Sequence, residues 1–189
     1  DLAFKFNASV NQKVANEIFS GNEGDVFGPY KDQGFFKISK ITAVTKMPDS
    51  VRASHILIPF VGSQRVAAEV TRTKVQAEKL ADSILSVVRR SKRKFASLAK
   101  SLSSDKGSGA KGGDLDWFNY TRMTPAFRDY AFTNRKGSVG VVETPFGYHV
   151  IRVDGTKNTQ KVLKLATFAS KIIPSEATEN EFFQKAEQF

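Results

Sequence analysis

The chain holds two histidines, His55 and His149, and both lie inside strand-like apolar runs, "VRASHILIPF" and "TPFGYHVIRVDG". Histidine is the side chain whose ordinary pKa lies nearest neutrality, so two of them in matching settings are the first candidates for chemistry. Strand alternation puts Ala53, His55 and Leu57 on one face of the first run, and His149, Ile151 and Val153 on one face of the last. If these strands are neighbours, the imidazoles meet across the sheet, each neutral ring offering one donor and one acceptor. Both rings share their faces with core-type residues, so a purely structural hydrogen bond has the same signature.

Three chemistries compete for such a pair. A metal site needs more ligands, and Asp105 or Asp114 could be nominated, but no His-x3-His or similar spacing accompanies them and no metal is expected. Hydrolysis needs a serine on a tight turn, and no Gly-x-Ser-x-Gly is present. The absence of cysteine excludes disulfides, thiolate catalysis and Cys-based metal sites. The third chemistry asks for neither nucleophile nor metal: rotation about an X–Pro peptide bond.

Elements must position the pair. From Thr73 to Val88, Ala77, Leu80, Ala81, Ile84, Leu85 and Val88 follow helical spacing behind the capping box "TKVQ". A shorter helix follows at Phe95, Leu98, Ala99 and Leu102, and then "DKGSGAKGGD" reads as an irregular glycine-rich loop. Thr124 and Pro125 suit an N-cap and first helical residue, leading Phe127, Tyr130 and Ala131 onto one face. "VGVVET" and "YHVIRV" read as strands joined by "PFG". The order is strand, three helices, two strands.

The flanks differ. Val10, Val14 and Ile18 recur at helical spacing, and "FFKISKITAV" reads as a strand; after 157, "KVLKLATFASKII" has strand character and Pro174-Ser175 open a helix with Phe182, Phe183, Ala186 and Phe189 on one side. Turn-rich "MPDS" (47–50) and "DGTKN" (154–158) divide the chain into 1–47, 48–156 and 157–189. A shift of 113 residues superposes Phe19 on Phe132, Gly24 on Gly137, Val26 on Val139, Gly34 on Gly147 and Ile38 on Ile151, with Asp1-Leu2 on Asp114-Leu115 and Phe36 in the place of His149. Residues 1–40 thus read as the latter half of a degenerate copy of the central domain, the alternative being a helix and hairpin recurring by chance. The 161–172 strand either pairs with 34–44 or begins another repeat.

The 189 residues carry a formal charge of +10, densest at "RRSKRK" (Arg89–Lys94). That run closes a helix, where cations suit the dipole, and no aromatics interleave with it, so nucleic acid is not the expected partner. No apolar run approaches the roughly 18 residues that span a bilayer. "DLAFKFNASV" lacks the basic-then-apolar order of a signal peptide, and the chain reads as a soluble piece of something larger.

"SHILI", "FASLAKSLSSD", "GGDLDWF", "MTPAF" and "FGYHVIRV" resemble, in order and spacing, the parvulin-type peptidyl-prolyl isomerases over about 105 residues. The resemblance implies an α+β fold: a four-stranded antiparallel sheet surrounded by helices, its further strand near Leu115 to Phe118. It implies a non-covalent cis/trans isomerase in which His55 and His149 form the histidine pair, with Asp105 and Thr144 beside them. Lys106 is the competing alignment for Asp105. Leu115, Met123 and Phe127 fall on the apolar pocket for the proline ring, and Phe146 and Trp117 on the groove around it. The flanking half-copy resembles tandem-parvulin chaperones of the bacterial envelope, which implies a periplasmic setting, unfolded or proline-containing polypeptides as clients, no cofactor, no nucleic acid and no membrane contact by this stretch. The rival reading is a module that holds such segments in the same groove without turning them over.

Overall fold

The chain runs α1 (Gln12–Ser20), β1 (Val26–Asp32), β2 (Phe35–Ile58), α2 (Lys74–Arg90), α3 (Phe95–Leu102), α4 (Lys106–Gly109), β3 (Asp114–Asn119), α5 (Pro125–Thr133), β4 (Val139–Thr144), β5 (Gly147–Lys171) and α6 (Glu176–Glu187), in a computed structural model that describes residues 3–187. It divides into two units: Met47–Gln160, and a second made of Asp1–Lys46 with Lys161–Phe189. The division falls inside β2 and β5, not at turns. "MPDS" and "DGTKN" are therefore corrected from turns to extended strand. Proline's fixed φ suits an extended backbone where no ladder bond is needed, and the polar residues find each other: Asn158 Nδ2 donates to Asp49 Oδ2 at 3.0 Å.

In the Met47–Gln160 unit, β3 pairs antiparallel with β2, β2 neighbours β5, and β5 pairs antiparallel with β4. Helices close both faces of this sheet, the parvulin-like α+β arrangement. On one face Ile56, Ile58, Tyr148 and Val150 pack on Ala77, Ala81, Ile84 and Val88 of α2 and on Phe95 and Ala99 of α3. The Thr73–Gln76 capping box starts α2, and Arg89 and Arg90 occupy its last turn. On the other face Phe118 meets Phe127 and Phe132 of α5 edge-on. α5 begins with Pro125 after Thr124, whose side chain makes no capping bond.

The glycine-rich stretch is not wholly irregular. Asp105 accepts from the backbone N–H groups of Gly107 and Ser108 and so caps the single turn α4. Gly113 then passes so close to β2 that a Cβ would lie 2.4 Å from the His55 carbonyl oxygen, at a φ of +89°. Its own carbonyl accepts the His55 N–H at 2.8 Å. Glycine is needed here both for the left-handed backbone and for the approach.

In the other unit, Ala15 and Ile18 of α1 are buried, and Ile18 packs with Ile41 and Leu163. The later part of β5 lies beside β2 in antiparallel order: Thr42 Oγ1 donates to the Lys164 carbonyl, Ser39 and Thr167 share a hydroxyl contact, and the Ile172 N–H reaches the Gly34 carbonyl. α1, β1 and the start of β2 follow the same order as α5, β4 and the start of β5, with α1 and α5 113 residues apart at both ends. The strand register departs from a gapless shift by one residue, because a bulge intervenes between Phe27 and Tyr30: Phe27 faces Ser39, whereas Gly140 faces Ile151. Lys37, not Phe36, therefore holds the place of His149. The expected match of Asp1-Leu2 and the side chains of Phe182, Ala186 and Phe189 lie outside the described residues.

Gly113→Ala is expected to destabilise the protein by about 2 kcal/mol or more through the disfavoured backbone and the clash with β2. A lower urea midpoint at unchanged slope is the readout.

Candidate active site

β2 and β5 bring the histidines together. His55 and His149 are each 6% exposed, with Nδ1 facing Nδ1 at 2.9 Å and ring planes within 19°. From His149, Nε2 reaches Thr144 Oγ1 at 2.8 Å. From His55, Nε2 reaches Asp105 Oδ2 at 2.8 Å and Ser108 Oγ at 3.0 Å. Asp105, and not Lys106, thus meets the pair; Lys106 Nζ turns instead to the Ser103 carbonyl.

The proton positions follow from the ends of this row. Burial is the largest influence on Asp105 and pushes it up, but hydrogen bonds from Ser108 and His55 outweigh it and hold the carboxyl at about 2. An ionised carboxylate only accepts, so His55 Nε2 carries its proton. Burial lowers His55, against the pull of Asp105. Burial, and then the neighbouring His55, lower His149 to about 3. With both rings neutral, His55 Nδ1 accepts from His149 Nδ1–H, His149 Nε2 accepts from the Thr144 hydroxyl, and Thr144 Oγ1 accepts from the Phe146 N–H. Every donor points the same way, towards Asp105.

Phe127 stands edge-on to both rings, with centroids 5.8 and 5.4 Å away. Only 3% exposed, it is as much a roof on the pair as a wall of a pocket. Leu115 and Met123 are half-buried. Leu115 shares the His55 face because a bulge in β3 sets Ser54 opposite Asp114 and Arg52 opposite Trp117. Asp105 and Phe146 line a 730 Å³ cavity with Leu57, Pro59, Arg65 and Leu102. The Arg65 guanidinium lies 5.8 Å from the Phe146 ring centroid.

Trp117 is corrected. The same bulge, with Asp116 at φ +59°, turns its indole to the opposite sheet face. There it lines a separate 680 Å³ cavity with Arg52, Arg152 and Asp154, and Lys157 Nζ sits 3.8 Å from its ring centroid. Sequence reasoning missed Ser108, 8% exposed, whose hydroxyl donates to Asp105 Oδ2. Its signal was an acidic cap three residues ahead, hidden by the glycines around it. Among the described residues, no cluster of three or more His, Cys, Asp or Glu could hold a metal ion.

A four-stranded antiparallel sheet between two helical layers, with a buried histidine pair joined to a carboxylate and a hydroxyl, defines a parvulin-type domain. The model of the PPIC-type PPIase domain matches residues 36–157, and the chain belongs to that family of peptidyl-prolyl isomerases. Chaperone SurA of Yersinia pestis bv. Antiqua is 30% identical over 153 residues, which cover 78% of this chain and 33% of that protein. Chaperone SurA of Pseudomonas syringae pv. tomato is 31% identical over 166 residues, covering 84% and 37%. The peptidyl-prolyl isomerase ESS1 from Candida albicans superposes with a TM-score of 0.53 at 29% identity, covering 57% of this chain and 63% of that one. The chain spans about a third of the length of the curated relatives it matches.

The histidines carry a pH dependence. Both folded values lie below the ordinary 6.5, so on acidification the unfolded chain binds protons first. Stability is complete above about pH 6.5 and falls as pH drops towards 3, with Asp105 adding to the loss between 3.8 and about 2. A loss on the order of a few kcal/mol is expected. Denaturation across this range checks it: His149→Phe should flatten the slope between pH 6.5 and 3.

Proposed function

We propose that His55, His149, Asp105 and Thr144, with Leu115, Met123, Phe127 and Phe146 around them, catalyse cis/trans rotation of X–Pro bonds in unfolded or extended polypeptides. The observation that carries the reading is the one-way hydrogen-bonded row from Thr144 to Asp105, roofed by Phe127 and ending at a half-buried anion beside a cavity.

The planar X–Pro bond must lose its resonance to rotate, at a cost of about 18–20 kcal/mol. No bond to the protein is required. The site has only to bind the twisted amide better than either planar form. Leu115 and Met123 grip the proline ring and exclude water, which disfavours the more dipolar planar amide. Asp105, kept ionised by Ser108 and His55, repels the partial negative charge on the carbonyl oxygen of the planar amide more than the smaller charge of the twisted one. The histidines fix that carboxylate without exchanging protons with substrate: neither ring is charged at neutral pH, and each nitrogen is already engaged.

Similarity to proteins named chaperone SurA supports a wider reading. The chain is a module of an envelope folding factor that works on polypeptide clients in the periplasm. No helix among the described residues is long and apolar enough to cross a membrane.

An isomerisation assay on a proline-containing peptide tests the site. His149→Phe leaves His55 Nδ1 without its donor, and an unpaired buried polar group costs about 1–3 kcal/mol. The expected loss in kcat/KM is about 10- to 100-fold. Undiminished turnover would remove His149 from the mechanism, and peptide binding without faster exchange in the unmodified protein would leave only a holding role. Thr144→Val, which removes the last donor of the row, should lower kcat/KM in the same direction with little change in KM, read from initial rates across a substrate series.

A further inference from the structure

In the Met47–Gln160 unit, the sheet face that carries α2 and α3 changes character part-way along its strands. On β2 the residues of that face run from Ile58 and Ile56 to Ser54 and Arg52, and on β5 from Tyr148 and Val150 to Arg152 and Asp154. The helices roof the apolar part as far as Phe95, whose ring centroid lies 4.6 Å from the Arg152 guanidinium carbon. Beyond it β3 adds Asp114 and Trp117, opposite Ser54 and Arg52. The three strands together floor the 680 Å³ cavity on the far side of the sheet from the histidines, a volume inside the range of roughly 300–1,000 Å³ usual for ligand sites. An apolar floor would ask for another helix. This one is polar and asks for water or a polar ligand.

The charges on the floor are matched. Arg52 Nε donates to Asp114 Oδ1 at 3.2 Å and its Nη2 to Oδ2, Arg152 Nε donates to Asp154 Oδ1, and Ser54 Oγ donates to Asp154 Oδ2 at 2.6 Å. The charges on the rim are not. Lys111 from the turn between α4 and β3, Lys136 from the turn between α5 and β4, and Lys157 from β5 line the same cavity. Among the described residues none of these three lysines forms an ion pair. Lys157 Nζ stands instead 3.8 Å from the Trp117 ring centroid, a contact that orients the cation without neutralising it. The cavity thus presents three uncompensated cations, an indole, and two carboxylates whose oxygens each have room for a further donor.

We propose that this cavity binds acidic segments of polypeptide, apart from the isomerase site. Glutamate or aspartate side chains of the segment meet Lys111, Lys136 and Lys157, an apolar side chain between them lies against Trp117, and backbone N–H groups donate to Asp114 and Asp154. Those two aspartates set the class of ligand. A phosphodiester backbone would satisfy the lysines, but it has no donor for the carboxylates and is repelled by them; a peptide answers both. Trp117 and the histidine pair occupy opposite faces of the sheet, so the two sites do not compete for one segment, and the proposal stands whether or not the histidines are catalytic.

Trp117 is the one tryptophan of the chain, so its fluorescence reports the cavity directly. Titration with a short proline-free peptide of glutamate and leucine is expected to change that emission saturably, with an affinity that falls as salt is added. Lys111→Glu combined with Lys136→Glu, both at exposed positions, should weaken binding by about tenfold or more, while circular dichroism and the isomerisation rate on a proline peptide stay as in the parent. That rate should also be unchanged when the acidic peptide is present. An emission that does not respond, equal binding of the same peptide with glutamine for glutamate, binding undiminished by the substitutions, or competition with the proline peptide would each overturn the proposal. Tighter binding of single-stranded DNA than of the peptide at the same salt overturns it too, in favour of a nucleic-acid site. If the double variant does not fold, Lys157→Gln, at an exposed position, gives the same reading through loss of affinity.

Discussion

The imidazole–imidazole hydrogen bond is the constraint around which the isomerase unit is arranged. A buried ring with an unmet nitrogen is costly, so each histidine must have both nitrogens partnered. Neither backbone strand can supply this alone. The bond forces β2 and β5 to be neighbours with His55 and His149 turned to one face, and it requires Asp105 at one end and Thr144 at the other. Those two in turn depend on the α4 turn and the β4–β5 hairpin. Fold and site are the same set of demands.

In the proposed mechanism, polarity is what the row contributes. A chain of hydrogen bonds whose donors all point one way strengthens each member and fixes a single tautomer at both rings. The carboxylate at its end is therefore held by donors that do not fluctuate between states. A site preorganised in this manner needs no reorganisation as substrate charge changes, which is the property expected of electrostatic catalysis.

Much of this was legible in the residues. The 3.6-residue period of α2 and its capping box predicted the helix, and the matching settings of His55 and His149 predicted their meeting. The misses have local causes. "MPDS" and "DGTKN" have turn composition but lie in long strands, because pairing with neighbours outweighs local preference there. Trp117 has the right parity for the groove, yet one extra residue at Asp116 reverses the parity, and a bulge of that kind leaves no mark in hydrophobic alternation. Ser108 was hidden because glycines on both sides suppress the helical pattern that would have marked Asp105 as a cap. The slip between Phe36 and Lys37 has the same origin: a gapless comparison cannot see a bulge.

The division of one unit into two stretches separated by the other has a consequence for synthesis. Residues 47–160 are contiguous and can fold as soon as they leave the ribosome. Residues 1–46 cannot bury Ile41 and Ile18 fully until Leu163 arrives, more than a hundred residues later. The isomerase unit is thus complete while Ile18 and Ile41 still lack Leu163 as their partner. A growing chain of this kind exposes, for a time, the sort of surface that folding factors bind.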